Sequence, residues 1–167
     1  FDSYFSESII KRAVLKKKVE IKTHDLRDYA EVKKGLPARM PARNASHSDA
    51  GGRSFRRVDD KPYGGGAGMV LMAEPILRAV RSLGSSTSKS RKVIIFSAKG
   101  KQFTQKMAYD WSKKYKNFIF ITGRYEGIDE RVMEILSAKG GSASGGKAEE
   151  ISIGPYITTD GDVAAMV

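Results

Sequence analysis

The sequence predicts an α/β fold, a parallel sheet flanked by helices. Three observations lead there. Residues 91–96 (Arg-Lys-Val-Ile-Ile-Phe) and 117–122 (Asn-Phe-Ile-Phe-Ile-Thr) are short apolar runs, β-branched and aromatic, of the length of buried strands. A helical pattern follows each, and a third extended run begins at Ile151. Strand, helix, strand, helix, strand is the order that places parallel strands in one sheet with helices on its faces.

The elements follow in chain order. Residues 2–18 space Phe5, Ile9, Ile10, Ala13 and Val14 on one helical face with Lys and Arg between them, which predicts an amphipathic helix. Residues 19–22 alternate Val-Glu-Ile-Lys and predict a short strand. Residues 33–57 lack periodicity and carry Pro37, Pro41, Asn44, Gly51, Gly52 and many Arg and Ser; they predict a mobile basic loop. Residues 70–83 predict a helix with Pro75 in its first turn, and residues 84–90 a Ser-rich linker. The 91–96 strand is expected to end at Ser97-Ala98-Lys99-Gly100. Residues 101–116 put Phe103, Met107, Ala108, Trp111 and Tyr115 on one helical face. The 117–122 strand ends at Gly123-Arg124-Tyr125-Glu126-Gly127, and residues 128–136 form a helix with Asp129 and Glu130 suited to its start. A Gly/Ser linker spans residues 140–147, and residues 151–157 are a third strand and loop. In such sheets ligands bind beyond the carboxyl ends of the strands, so residues 97–100, 123–127 and 152 onward converge on one expected site.

Composition narrows the chemistry. The chain has 167 residues, no Cys, 30 Lys+Arg against 19 Asp+Glu and a net charge of +11. That length suits one domain of roughly 100–200 residues. The lack of Cys excludes disulfides and thiolate metal sites. No apolar run approaches the ~20 residues a membrane helix needs, and the start carries no secretion signal, so the expectation is a cytoplasmic protein without a membrane partner. His24 and His47 stand alone, so no metal is expected. Gly141, Gly146 and Lys147 miss the phosphate-binding loop, because Ala148 lacks the hydroxyl and no strand precedes it. Residues 1–123 carry a net charge of +15 and residues 124–167 a net −4. A basic body fits a phosphate-contacting face, and equally a merely solubilising surface.

Two stretches go beyond this. Val58-Asp59-Asp60-Lys61-Pro62-Tyr63-Gly64-Gly65-Gly66-Ala67-Gly68-Met69 combines carboxylates, a cation, an aromatic ring and bare backbone, a set able to read a base edge and stack on it. The run of glycines alone would read as a plain turn. Gly123-Arg124-Tyr125-Glu126-Gly127-Ile128-Asp129-Glu130-Arg131-Val132 is more than a capped strand-to-helix turn, because capping does not explain Arg124, Tyr125 and Glu126 together.

These two stretches and Ser152-Ile153-Gly154, in this order, resemble the bacterial tRNA (guanine-37-N1)-methyltransferases, and the likeness spans nearly the whole chain. The resemblance implies a SPOUT-type fold with a C-terminal trefoil knot, a homodimer, and methyl transfer from S-adenosylmethionine to N1 of guanine 37 in tRNA. It implies cofactor contacts from Phe96, Ser97 and Ala98; from Gly123, Tyr125 and Glu126; and from Ile153, Gly154, Pro155, Tyr156, Ile157, Thr158 and Gly161. It implies substrate contacts from Asp59, Gly66 and Gly68. Residues 1–167 then form a methyltransferase domain truncated at both ends, with the knot incomplete and the tRNA-binding C-terminal domain absent. The family's Asp base and its Arg align beyond Val167, which leaves the catalytic residues of this chain unassigned and the chain by itself inactive. Pro155, Asp160 and Ala164 depart from the family pattern, and Asp160 is expected to intrude on a cofactor loop. Those departures keep open an inactive cofactor- or tRNA-binding homologue; a SPOUT enzyme with another RNA target is a further alternative.

Overall fold

The computed structural model describes residues 2–31, 56–83, 90–124, 126–138 and 148–167. Most of the basic loop, the linkers expected at 84–90 and 140–147, and Tyr125 therefore lie largely or wholly outside the described residues.

The centre is a three-stranded parallel sheet in the order β4-β3-β5, with β3 Arg91–Gln102, β4 Asn117–Ile121 and β5 Glu149–Ser152. Register pairs Val93 with Ile119 and Ile95 with Ile121 on one side, and Ile94 with Glu149 on the other. Val93, Ile95 and Ile121 turn one face toward helices α3 (Ala73–Ser82) and α5 (Arg131–Ser137), where Ile76, Val80, Val132 and Leu136 are fully buried. The α/β class and the parallel sheet are as expected.

β3 is longer than its apolar run suggests. Phe96 and Lys101 both stand opposite Ile151, so the four residues between them leave the ladder as a bulge. The expected loop at 97–100 is thus an excursion inside a strand. A Cβ on Gly100 would lie 2.6 Å from the Ile151 nitrogen, and only glycine lets the strand return that close to β5.

A second, two-residue ladder pairs β1 (Asp59–Asp60) with β2 (Val70–Leu71) antiparallel. Leu71 then bridges to Ile128, and the Leu71 amide donates to the Gly127 carbonyl at 3.0 Å. α3 begins after β2, at Ala73 rather than at residue 70, with Pro75 in its first turn.

Three expectations need correction. The amphipathic helix over residues 2–18 is broken at Ser6-Glu7: α1 is Asp2–Phe5 and α2 Ser8–Leu15, with Ser8 at φ +53° where α2 begins, and no residue of α2 is buried. Residues 19–22 form no strand, because no neighbouring strand pairs with them among the described residues; Val19 and Ile21 stay exposed. α4 (Gln105–Lys114) forms, with Thr104 Oγ1 accepting from the Met107 amide at 3.3 Å, yet none of its residues is buried. Its apolar face, with Phe103, Trp111, Phe118 and Phe120, lines an open groove. What ties this helix to the sheet is Lys92, which pairs with Glu149 and lies 5.1 Å from the Trp111 ring.

Among the described residues no helix is long and apolar enough to cross a membrane.

Candidate functional site

Three chain segments meet beyond the carboxyl ends of the parallel strands. Phe96, Ser97, Ala98 and Lys99 come from the β3 bulge. Gly123, Arg124, Glu126 and Gly127 come from the turn between β4 and α5. Ile153 and residues 156–161 come from the turn between β5 and α6 (Gly161–Met166). Together they line an open cleft of about 400 Å³, within the size range of small-molecule sites.

Of the residues assigned to the cofactor, Phe96, Ser97, Ala98, Gly123, Glu126, Ile153, Tyr156, Ile157, Thr158 and Gly161 line this cleft. Gly154 and Pro155 do not; Gly154 instead sits against the Tyr156 ring, where a Cβ has no room. Tyr125 lies outside the described residues. Asp59, Gly66 and Gly68 do not line the cleft either.

The third segment is pinned from both ends. Buried Ser152 donates from Oγ to the Gly154 carbonyl (2.8 Å) and accepts from the Gly154 amide (3.3 Å). Thr158 Oγ1 donates to the Asp160 carbonyl at 2.7 Å. The Gly161 amide donates to the Gly123 carbonyl at 2.7 Å, and a Cβ on Gly161 would come 2.7 Å from the Gly123 nitrogen. Backbone therefore touches backbone where the third segment crosses the second, and glycine is required there. Arg124 reaches across the same crossing to Asp162 at 2.8 Å. Burial raises the Asp162 pKa, but hydrogen bonds from Arg124 and Thr122 and the Arg124 charge outweigh it and hold the carboxyl below its ordinary range.

Asp160 lines the cleft. Its Oδ1 accepts from the Asp162 amide at 3.0 Å and caps α6, which directs the carboxylate to the helix start.

The cleft also holds groups that the sequence did not single out. Lys99 pairs with Glu130 and lies 3.8 Å from Glu150, linking the β3 bulge to the β4–α5 turn and to β5; the Glu130 hydrogen bond raises the Lys99 pKa against the effect of burial. Lys99 was visible within the first loop, but nothing in one-dimensional spacing links positions 99, 130 and 150. The lining carries Glu126, Glu130, Glu150 and Asp160 against Lys99 and Arg124, so it is acidic on balance. Among the described residues no cluster of three or more His, Asp or Glu side chains could hold a metal ion.

The glycine-rich loop joins the site from the side. Gly64, Gly65, Gly66 and Gly68 all have positive φ, a backbone conformation that favours glycine at each of them. Gly68 packs on the Glu126 side chain, where an added Cβ would collide, and the Glu126 amide donates to the Met69 carbonyl at 3.1 Å. The loop assigned to the substrate and the turn assigned to the cofactor are thus in direct contact. Asp59 stays on β1, its carbonyl accepting from Arg57 Nε at 2.6 Å.

Comparison with known proteins gives a consistent result. Residues 44–167 match the family described as tRNA (Guanine-1)-methyltransferase TrmD. Over its whole length the chain is 42% identical to a protein of Dictyoglomus turgidum named tRNA (guanine-N(1)-)-methyltransferase, covering 54% of it. Proteins of the same name from Acholeplasma laidlawii (35% identical, 54% covered) and Listeria welshimeri (36% identical, 56% covered) also match all of the chain. The chain spans about half the length of these relatives.

Proposed function

Because this chain belongs to the tRNA (guanine-1)-methyltransferase family, we propose that the full protein transfers a methyl group from S-adenosylmethionine to N1 of guanine 37 in tRNA. The observation that carries the reading is the cleft, built from the three segments the resemblance assigns to the cofactor and touched by the glycine-rich loop it assigns to the guanine.

The cleft fits such a cofactor. Its volume suits a nucleoside with a short amino-acid tail. The acidic lining favours a sulfonium cation over a neutral analogue. When bound, the cofactor supplies an electrophilic methyl group. The chain's own residues bind and orient: Phe96, Ser97 and Ala98 wall one side, Ile153 and residues 156–158 the other, and Glu126 supports the guanine loop through Gly68.

Guanine N1 carries a proton at neutral pH, so the reaction needs a carboxylate base, a contribution of ~10²–10⁴-fold. Asp129 and Asp162 are poor candidates. Each is held by an arginine that lowers its pKa, which weakens it as a proton acceptor. The resemblance assigns the base, with the arginine that stabilises charge at O6, to the part of the full protein that follows Val167. The knotted threading, the homodimer and a cytoplasmic location belong to the same proposal and rest on the resemblance.

The test is methyl incorporation by the full-length protein into unmodified tRNA bearing guanine at positions 36 and 37. Incorporation should depend on guanine 37. Equal incorporation after its replacement by adenine overturns the assignment.

A further inference from the structure

Tyr63 is the most exposed large hydrophobic side chain among the described residues, at 91%. An aromatic ring this open gains little from burial, so its placement needs another reason. The ring nevertheless has a fixed neighbour. The Arg131 guanidinium lies 5.4 Å from its centroid. Arg131 is itself immobilised by Asp129, with Nε at 3.0 and 3.1 Å and Nη2 at 2.6 Å from the two carboxylate oxygens. Asp129 is fixed in turn by its amide, which donates to the Leu71 carbonyl at 3.0 Å. The tyrosine thus rests on a cation anchored to β2, and it remains open to solvent.

The surface beside the ring is bare. Gly64, Gly65 and Gly66 follow Tyr63 directly, and a Cβ added to any of them would meet nothing within 4 Å. Their positive φ explains why they are glycines, and the result is a stretch without side chains next to an exposed ring. The Gly65 amide donates to the Pro62 carbonyl at 3.2 Å, which closes the turn that presents Tyr63. A flat, rigid, π-faced object can approach there without displacing a side chain. Lys61, also exposed, supplies positive charge alongside. Aromatic rings combined with cations are the usual platform for unpaired nucleobases, which stack on them at ~1–3 kcal/mol per base.

We infer that Tyr63, backed by Arg131, is a stacking platform for an unpaired base of the RNA loop that presents the target guanine. The inference rests on the substrate reading above and adds a residue to it. The platform lies on the loop that contacts Glu126 through Gly68, so a base stacked on Tyr63 would fix the register of the RNA strand against the cleft.

The experiment uses the full-length protein and an unmodified anticodon stem-loop with 2-aminopurine placed in turn at each unpaired loop position. Wild type should quench one position strongly on binding. Tyr63→Ala should abolish that quenching and raise the stem-loop Kd about 5–150-fold, the range of one lost stack. Tyr63→Phe and Tyr63→Trp should keep both quenching and affinity within about threefold, which separates stacking from a hydroxyl contact or from misfolding. The Kd for S-adenosylmethionine should be unchanged in all three. If Tyr63→Ala binds and quenches like wild type while wild type methylates guanine 37, the platform is wrong and the function stands. If wild type neither binds the stem-loop nor methylates tRNA, both fall. A Tyr63→Ala loss that Phe and Trp fail to rescue also overturns the stacking role.

Discussion

Asp162 shows how a single carboxylate can hold two chain segments at a stated pH. It begins α6, and its partner Arg124 lies on the turn after β4, so the pair closes the crossing at Gly123 and Gly161. Its folded-state pKa lies below the unfolded value of about 3.9. The native state therefore binds fewer protons than the unfolded chain in that range, and stability rises with pH there. The contribution is fully present above the unfolded pKa and is lost as pH falls through the depressed value. Arg124 is 62% exposed, so solvent screening keeps the pair to about 1 kcal/mol or less. Asp162→Asn should lower Tm at pH 7, and the difference from wild type should shrink as pH falls below the unfolded value of about 3.9 and through the depressed folded one. Thermal melts from pH 2.5 to 7 check this; a gap that stays constant with pH would mean the carboxylate charge is irrelevant. Acid sensitivity should not vanish in the variant, because Asp129, held low chiefly by its hydrogen bond from Arg131, behaves in the same sense.

At the scale of elements, the β3 bulge decides whether the first wall of the cleft forms. The strand leaves its ladder after Phe96 and rejoins at Lys101, both opposite Ile151, and Gly100 makes the return possible. Gly100→Ala places a methyl 2.6 Å from the Ile151 nitrogen and 2.7 Å from the Glu150 carbonyl carbon. Backbone atoms cannot rotate away as a side chain can, so β5 must shift. The expected cost is about 1–3 kcal/mol, measured by urea denaturation, together with weaker cofactor binding by calorimetry. Unchanged stability would show that the bulge is freely deformable. This bulge also marks a limit of sequence reading. The apolar run of β3 was legible because a buried parallel strand needs continuous β-branched and aromatic residues; β4 forms where expected but as an edge strand with Phe118 and Phe120 exposed rather than buried, and β5 is Glu149–Ser152, earlier than the run expected from Ile151 because its pairing with β3 and not an apolar pattern sets it. Helices α3 and α5 were legible in place and type, though each begins three residues later than expected, at Ala73 and Arg131, because Leu71 first bridges to Ile128 and holds both approaches extended. The continuation of β3 past Gly100 was not, because it depends on backbone pairing with β5 and on no side-chain pattern. The alternation at residues 19–22 misled for the converse reason: it describes a strand face but supplies no partner strand. In the site, loop positions followed from the parallel topology alone, whereas the Lys99–Glu130–Glu150 cluster depends on three-dimensional approach of distant segments.

For the whole molecule, the division of charge makes two opposite predictions about salt. The first 123 residues carry net +15 and the remainder net −4, and the candidate cleft belongs mainly to the acidic part. If the basic part contacts tRNA phosphates, each contact releases condensed counterions, and log K falls with log salt at a slope of about −0.7 to −0.9 per phosphate. Even two or three such contacts give a loss of roughly tenfold between 50 and 200 mM salt, and six or more give about a thousandfold. S-adenosylmethionine bound in a cleft lined by Glu126, Glu130, Glu150 and Asp160 against Lys99 and Arg124 has no counterion sheath to release. Its Kd should change less than about threefold over the same range, because only screening of nearby charges acts on it. Measuring both ligands on the full-length protein across one salt series separates a phosphate-binding body from a merely soluble one. A solubilising surface predicts a shallow slope for tRNA, near that of the cofactor, whereas a phosphate-binding face predicts a steep slope for tRNA alone. The test also bears on the basic stretch between residues 32 and 55, which carries Lys33, Lys34, Arg39, Arg43 and Arg53. Neutralising Arg39, Arg43 and Arg53 together should reduce the tRNA salt slope by about one unit for each phosphate they contact. The same variant should leave the cofactor slope where it was, because the cofactor carries no row of phosphates whose counterions would be released.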